Sequence, residues 1–193
     1  ALDPTAFNKA SGIGVPGLFK CWLKKNVGII NAVGTGVADD KVVYSYVNRM
    51  IVYYLGEQPI LNQVETYLCH DESQKKYVLE NLSKLVVKPA NASGGYGIMI
   101  GPKASSKERE EVAEKIKKNP REYIAQPLET LSTAPTITEK NIEPRHLDLR
   151  PFVLSGKTNY VTTGGLTRVA LRKGSTIVNS SQGGGSKDTL IVD

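Results

Sequence analysis

The apolar positions between 85 and 101 fall into two short runs, Leu85-Val86-Val87 and Ile98-Met99-Ile100, separated by small and turn-forming residues. Runs of this length rich in β-branched residues favour strands, and Pro89 cannot donate to a ladder, so the pattern predicts a β-hairpin whose first strand ends at Pro89. A longer period marks the segment before it. Val43, Tyr46, Val47, Met50, Ile51 and Tyr54 recur at helical spacing, which predicts one helix capped by Asp39 and Asp40, running to about Leu55, with this face in the core and Gly56 as its stop. Shorter helices are expected over 18–24, with Leu18, Trp22 and Cys21 turned inward, and over 77–82. Ser105-Ser-Lys-Glu108 has the form of a capping box and opens a charged helix to about Lys118, which Asn119-Pro120 terminates.

Further strands are expected over 27–31, 122–126, 147–154, 159–163 with 166–171, and 176–179. The segments 155–157 and 172–175 read as turns, 59–68 as extended, and 131–137 as a polar loop. The glycine-rich end of the chain, from Asn179 onward, reads as a loop or a flexible tail. The resulting division is an N-terminal α/β segment, 1–82, and a second part, 83–193.

Composition changes this picture little. With 193 residues the chain is long enough to bury a core, and 40% hydrophobic with 23% charged residues is ordinary for a soluble globular protein. No apolar run approaches membrane-spanning length and no basic-then-apolar signal pattern opens the chain, so the expected address is the cytoplasm, with no membrane partner. Cys21 and Cys69 lack metal-ligand spacing and read as buried small hydrophobes. The net charge of +6 raises nucleic acid as a partner, but Lys103 to Lys118 alternate with Glu108, Glu110, Glu111 and Glu114 as on a solvated helix, and no aromatic residues interleave with them. An anionic small molecule accounts for the excess as well, and no nucleic-acid partner is expected.

Three groups of residues carry candidate chemistry. In the hairpin loop, Ser93, Gly94, Gly95 and Gly97 leave the backbone almost bare, so its N–H groups can approach an anion such as a polyphosphate. Lys88, at the end of the preceding strand, would meet the same charge; a glycine turn beside a solvated lysine is the alternative. On the later strand Asp148 and Arg150 alternate with Leu147, Leu149 and Pro151, so both charges project from one face. That is either a plain ion pair or, if the face lines a cleft, a phosphate site in which Arg150 supplies a planar donor fork and Asp148 orients it or touches Mg2+. Arg168 would add a second cation. Gly12-Ile-Gly14-Val-Pro-Gly17 has the spacing of a dinucleotide fingerprint but no strand before it, and the terminal Gly-Ser-Lys lacks P-loop spacing.

Val-Val-Lys-Pro followed by Gly-Gly-x-Gly resembles the nucleotide-binding lysine and mobile phosphate loop of ATP-grasp enzymes. The ordered series Leu-Asp-Pro (2–4), Gly-Val-Pro-Gly (14–17), Tyr-Ile-Ala-Gln-Pro (123–127), Asp-Leu-Arg-Pro-Phe-Val (148–153), Gly-Gly-Leu-Thr-Arg-Val-Ala (164–170) and Asn-Ser-Ser-Gln-Gly-Gly-Gly (179–185) is similar to the C-terminal part of circularly permuted ATP-grasp proteins of the glutathionylspermidine synthase-like group. The resemblance implies an α+β fold of antiparallel sheets with flanking helices, and an ATP-dependent ligase joining a small carboxylate to an amine through an acyl phosphate. It makes Gln126, Pro127 and Leu128 the hinge whose backbone meets adenine, and places Asn179 on a loop facing the site. It also brings Lys41, at a strand-to-helix turn, toward the same anion, with a solvated lysine as the alternative. Arg150 and Arg168 would act on the transferring phosphoryl group, and ATP with Mg2+ would be the cofactors. The Glu-x-Asn usual for the metal is missing from any expected strand, Glu139-Lys-Asn141 standing in a polar loop. The family places the metal-ligand segment in the N-terminal half, so the chain is expected to be part of a longer protein that it needs for catalysis. A degenerate domain used for nucleotide sensing or interaction is the second expectation.

Overall fold

A computed structural model describes the chain except for residues 1, 32, 93, 94, 139, 140, 177, 180–182 and 191–193. It consists of two compact units, Ala1–Gln63 and Val64–Asp193.

The first unit is built from short helices. Helix α1 spans Leu18–Leu23, a 3-10 helix spans Thr35–Asp39, α2 spans Lys41–Tyr44 and α3 spans Val47–Leu55. The single helix expected over this stretch is therefore broken. Ser45 explains the break, because its hydroxyl donates to the Val42 carbonyl (2.7 Å) and its N–H bonds the same oxygen (3.1 Å), closing the turn locally instead of continuing the ladder. Asp40, not Asp39, is the cap, accepting from the Val42 N–H at 2.8 Å. Gly56 ends α3 in the left-handed region, as its position after the apolar period predicts. No strand forms over 27–31, where Ile30 is 97% exposed. The apolar face of α3 is not core either: none of its residues is buried. Leu18 and Trp22 are not fully enclosed, but Phe19 stacks on Trp22 and meets Phe7 edge-on, while Cys21 is exposed. The polar anchor of this unit is Asp3. It is buried and accepts from the Thr5 N–H (2.8 Å), the Thr5 hydroxyl (2.6 Å) and the Phe19 N–H (2.9 Å), bonds that hold its carboxyl down at about 2.

The second unit contains two antiparallel four-stranded sheets with few helices, an α+β arrangement. Strands β1 (Tyr67–Leu68), β2 (Leu85–Pro89), β3 (Met99–Ile100) and β4 (Tyr123–Pro127) form the first sheet in the order β1-β4-β2-β3. The predicted hairpin is present as β2 and β3, with Val86 opposite Ile100 and Val87 opposite Met99. Helices α4 (Glu72–Glu80) and α5 (Ser106–Lys118) cover one face, so α4 starts earlier than expected, capped by Asp71 on the Gln74 N–H at 2.9 Å. The capping box of α5 is formed in full. Leu85, Val87, Met99 and Ala125 meet Cys69, Val78, Leu82 and Ile116 in one buried core. Residues 64–82, expected to belong with the N-terminal part, thus contribute a strand, a helix and core side chains to this unit.

Strands β5 (Thr133–Ile137), β6 (Ile142–Ser155), β7 (Asn159–Ala170) and β8 (Gly184–Lys187) form the second sheet in that order. Two of its strands depart from expectation. The polar loop at 131–137 is an edge strand, where Pro135 is tolerated because one side of β5 needs no ladder partner. The glycine-rich tail supplies β8, paired to β7, whereas Thr176, Val178 and Asn179 are outside any strand and Ile177 lies outside the described residues. Gly184 is needed there, since a Cβ would lie 2.2 Å from the Val178 carbonyl. The two segments expected over 159–171 are one strand, with a register shift between Pro151 and Val153 on the facing β6.

Candidate functional site

The first sheet has two faces that do different things because successive side chains alternate. Leu85 and Val87 of β2 point into the helix-covered core, so Val86 and Lys88 point the other way; on β4, Ala125 is core and Gln126 is on the opposite side. That opposite side forms one wall of a cavity of about 630 Å3. Apolar side chains, among them Val64, Val86, Ile98, Ile100, Leu131 and Val178, make most of its lining. Lys88, Arg150 and Arg168 bring three cations to it from β2, β6 and β7.

Each cation is held differently. Lys88 donates from Nζ to Gln126 Oε1 at 2.6 Å. Asp148 and Arg168 are cross-strand partners, and both oxygens of the carboxylate accept from the guanidinium, through Nε at 2.9 Å and through the second terminal nitrogen. This bidentate pair lowers the Asp148 pKa and raises that of Arg168, the hydrogen bond between them being the main cause in each case. Arg150 is two residues along the same face of β6 as Asp148, opposite Leu166, and lines the cavity.

The other expected residues divide as follows. Gly95 lines the cavity with φ +80°, and Gly97 has φ +72° with room denied to a side chain by the Pro89 ring 2.9 Å away. Ser93 and Gly94 lie outside the described residues. Gln126, Pro127, Leu128 and Asn179 all line the cavity. Pro127 has no N–H, so of this hinge only Gln126 and Leu128 carry a backbone donor. Lys41 belongs to the first unit, opening α2, and partial burial lowers its pKa. Asp148 engages Arg168, not Arg150. Among the described residues, no group of three His, Cys, Asp or Glu is placed to hold a metal ion.

Three features of the site went unread in sequence. Val86 was legible as a wall residue, since it stands two positions before Lys88 on one strand. Glu129 and Leu131 extend the hinge into the cavity, and the Leu131 carbonyl accepts from His146 Nδ1 at 2.7 Å, tying the hinge to β6. Thr66 carries no local signal. Its hydroxyl meets Gln126 Nε2 at 2.8 Å across 60 residues of chain.

The family model described as circularly permuted ATP-grasp type 2 matches residues 1–170. A protein of Synechocystis named as uncharacterized is 56% identical over 192 residues, which is 99% of this chain and 40% of the relative. A Mycobacterium tuberculosis protein, also named as uncharacterized, is 50% identical over 99% of this chain and 35% of its own length. The protein of Frankia casuarinae named "Putative glutamate--cysteine ligase 2-2" is 53% identical over 93% of this chain and 21% of its length. The chain thus spans well under half of the relatives it matches. Among the described residues, no helix is long and apolar enough to cross a membrane.

Proposed function

The chain belongs to the circularly permuted ATP-grasp type 2 family, and on that premise we propose that the cavity of the second unit binds ATP for an ATP-dependent carboxylate–amine ligase. One observation carries the reading: Lys88, Arg150 and Arg168 reach a single cavity from three strands in two sheets, which Gly95 and the hinge residues Gln126, Pro127 and Leu128 also line. Its volume of about 630 Å3 suits a nucleotide, within the roughly 300–1,000 Å3 common for small-molecule sites. The apolar wall of Val86, Ile98 and Ile100 suits a base, the hinge backbone its polar edge, and the cations its phosphates.

In the proposed reaction a carboxylate oxygen attacks the γ-phosphorus and the bond to the β,γ-bridging oxygen breaks, leaving ADP. The amine nitrogen then attacks the acyl carbon, phosphate departs with its bonding electrons, and the nitrogen loses a proton. Phosphorylation converts a poor leaving group into a good one, so the protein's part is placement, charge neutralisation and exclusion of water. Arg150 and Arg168 offer planar forks to the phosphoryl oxygens, Arg168 being fixed by Asp148, and Lys88 offers a compact charge. Magnesium would shield the phosphates, and the Asp148 carboxylate, beside Arg168, is the group of this chain that would approach it, since such an ion takes one or two carboxylates together with phosphates and water. The name of the Frankia relative, "Putative glutamate--cysteine ligase 2-2", supports a ligase reading and leaves the acid and amine of this chain open.

The test is an equilibrium titration of the 193-residue chain with ATP and with adenosine. Lys88→Ala and Arg150→Ala are each expected to weaken ATP by about tenfold or more while leaving adenosine within about twofold, since they remove charge facing phosphate and not the base wall. ATP affinity unchanged in both variants would overturn the assignment. A second reading, a nucleotide-binding module without catalysis, is favoured by the engagement of the Asp148 carboxylate with Arg168; it predicts the same binding and no ADP release when the full-length protein is supplied with acid and amine.

A further inference from the structure

The side chain of Gln126 is buried, 8% exposed, in the wall of the cavity, although a hinge that reads adenine by its backbone has no use for it. Its two ends are both engaged. Oε1 accepts from Lys88 Nζ at 2.6 Å, Nε2 donates to Thr66 Oγ1 at 2.8 Å, and Thr66 Oγ1 donates in turn to the Val64 carbonyl at 2.9 Å. The proton count fixes the direction of this chain. A carbonyl can only accept, so the Thr66 hydrogen is spent on Val64 and the hydroxyl oxygen must accept from the amide nitrogen. An ammonium can only donate, so the amide oxygen must face Lys88. Flipping the amide would set N–H against N–H at one end and oxygen against a hydroxyl with no hydrogen left at the other. Gln126 is thus locked in one orientation by a residue 60 positions away, and it presents a fixed acceptor to a long, flexible lysine.

The register makes the contact possible. Gln126 stands opposite Val86 and Lys88 opposite Ile124, so the two side chains are diagonal neighbours on the cavity face of adjacent strands. An amide acceptor can aim an ammonium without contributing negative charge of its own. A carboxylate at the same position would aim it equally well and cancel it. We propose that Gln126 is a positioning residue: through the Thr66–Gln126–Lys88 chain it sets the Lys88 ammonium toward the cavity for a polyphosphate ligand without adding a negative charge of its own. This rests on the reading of the cavity as a nucleotide site and adds to it what tunes the charge that meets the phosphates.

The experiment compares the 193-residue chain with its Gln126→Glu and Thr66→Val variants, titrating inorganic tripolyphosphate, ATP and adenosine at low and at moderate salt. Gln126→Glu, nearly isosteric, is expected to weaken tripolyphosphate and ATP by about tenfold or more, with a flatter salt dependence, because one ligand-facing charge is neutralised. Thr66→Val removes the hydroxyl that orients the amide and should weaken tripolyphosphate by about threefold without changing adenosine. Far-ultraviolet circular dichroism reports that each variant is folded, so if the Glu variant fails to fold, the Val variant decides. Tripolyphosphate and ATP binding by Gln126→Glu within twofold of the unaltered chain would overturn the positioning role alone. Failure of the unaltered chain to bind ATP or tripolyphosphate would overturn the nucleotide reading and this proposal together.

Discussion

In the second unit Ile116, Ile124 and Val78 have no exposed surface, whereas in the first Tyr53 is 80% exposed, Tyr54 75% and Leu55 63%. The apolar period of α3 is stronger than that of α4 or α5. The difference is what lies across from them. The sheet of β2 and β4 has α4 and α5 on one face, so its side chains are fixed and its other face can hold Lys88 and Gln126 in a set geometry. The apolar face of α3 meets only irregular chain over 57–63 among the described residues and stays half-exposed, and among the described residues of its unit only Asp3 and Val42 are buried. A binding wall can be built on the first kind of element, because rigidity on one side is what makes placement on the other side repeatable.

Substitutions that load the two units equally should therefore give unequal results. The largest effect is expected at Gly101, where a Cβ would lie 1.8 Å from the Leu82 carbonyl oxygen and 2.5 Å from that of Leu85. Gly101→Ala must push apart β3 and the end of α4's turn, and should cost at least about 4 kcal/mol or abolish folding of the second unit. Gly36→Ala in the first unit meets nothing within 4 Å and should change stability by no more than about 0.5 kcal/mol. Denaturant unfolding followed by circular dichroism checks both, and equal costs would dissolve the contrast. Next in size is the pair Ile116→Ala and Met50→Ala. The first opens a cavity in a closed core and should cost about 3 kcal/mol. The second trims a side chain that is 41% exposed and should cost about 0.5 kcal/mol or less.

How much of this was readable in the sequence follows the same division. Wherever a local rule had one outcome the elements stand as expected: the hairpin of 85–101, the capping box at Ser105 and the glycine stop at Gly56 each depend on neighbours a few residues away. That Arg150 and Arg168 share one face follows from strand alternation, whereas their meeting with Lys88 of the other sheet at one cavity does not, and the roles given to the three are proposals. What sequence concealed was set by distant partners. Residues 131–137 read as a polar loop and form the edge strand β5, and Gly184 to Lys187 read as loop or tail because a strand without side-chain bulk is specified by the carbonyl it must approach. Thr66 acquires its use from Gln126 alone. The helical period of 43–54 showed correctly which face is apolar and could not show whether anything covers it.

Acid should separate the units again, with a smaller effect. The Asp3 carboxyl sits at about 2, against an ordinary 3.8, because hydrogen bonds from Thr5 and Phe19 favour its charged form. A carboxyl whose folded value lies below its unfolded one stabilises the fold fully above pH 3.8, and that contribution is lost as pH falls from there toward 2. Trp22 is the only tryptophan and stacks on Phe19, so its fluorescence reports the first unit. A fluorescence transition between pH 4 and 2 that disappears in Asp3→Asn is the expected result. A transition that persists in that variant would place the acid sensitivity elsewhere.

The gentlest probe leaves the fold unaltered and reads the contrast through two thiols. Cys21 in the first unit is exposed; Cys69 in the second has no exposed surface, and burial pushes its thiol up to about 11, with the nearby Lys75 charge pulling slightly back. Only a thiolate attacks a disulfide reagent, and at pH 8 a thiol with that value is ionised on the order of one part in a thousand. Access compounds this, since reagent reaches Cys69 only when the core of α4, α5 and the first sheet opens. One equivalent of thiol should therefore react within the mixing time and the second at the opening rate of the second unit. Cys21→Ser should remove the fast phase and leave the slow one, and Ile116→Ala should speed only the slow one, by the factor its lost stability predicts. Two fast phases in the unaltered chain would mean that the core around Cys69 is no better closed than the helices of the first unit, and the platform on which the nucleotide cavity is drawn would fall with it.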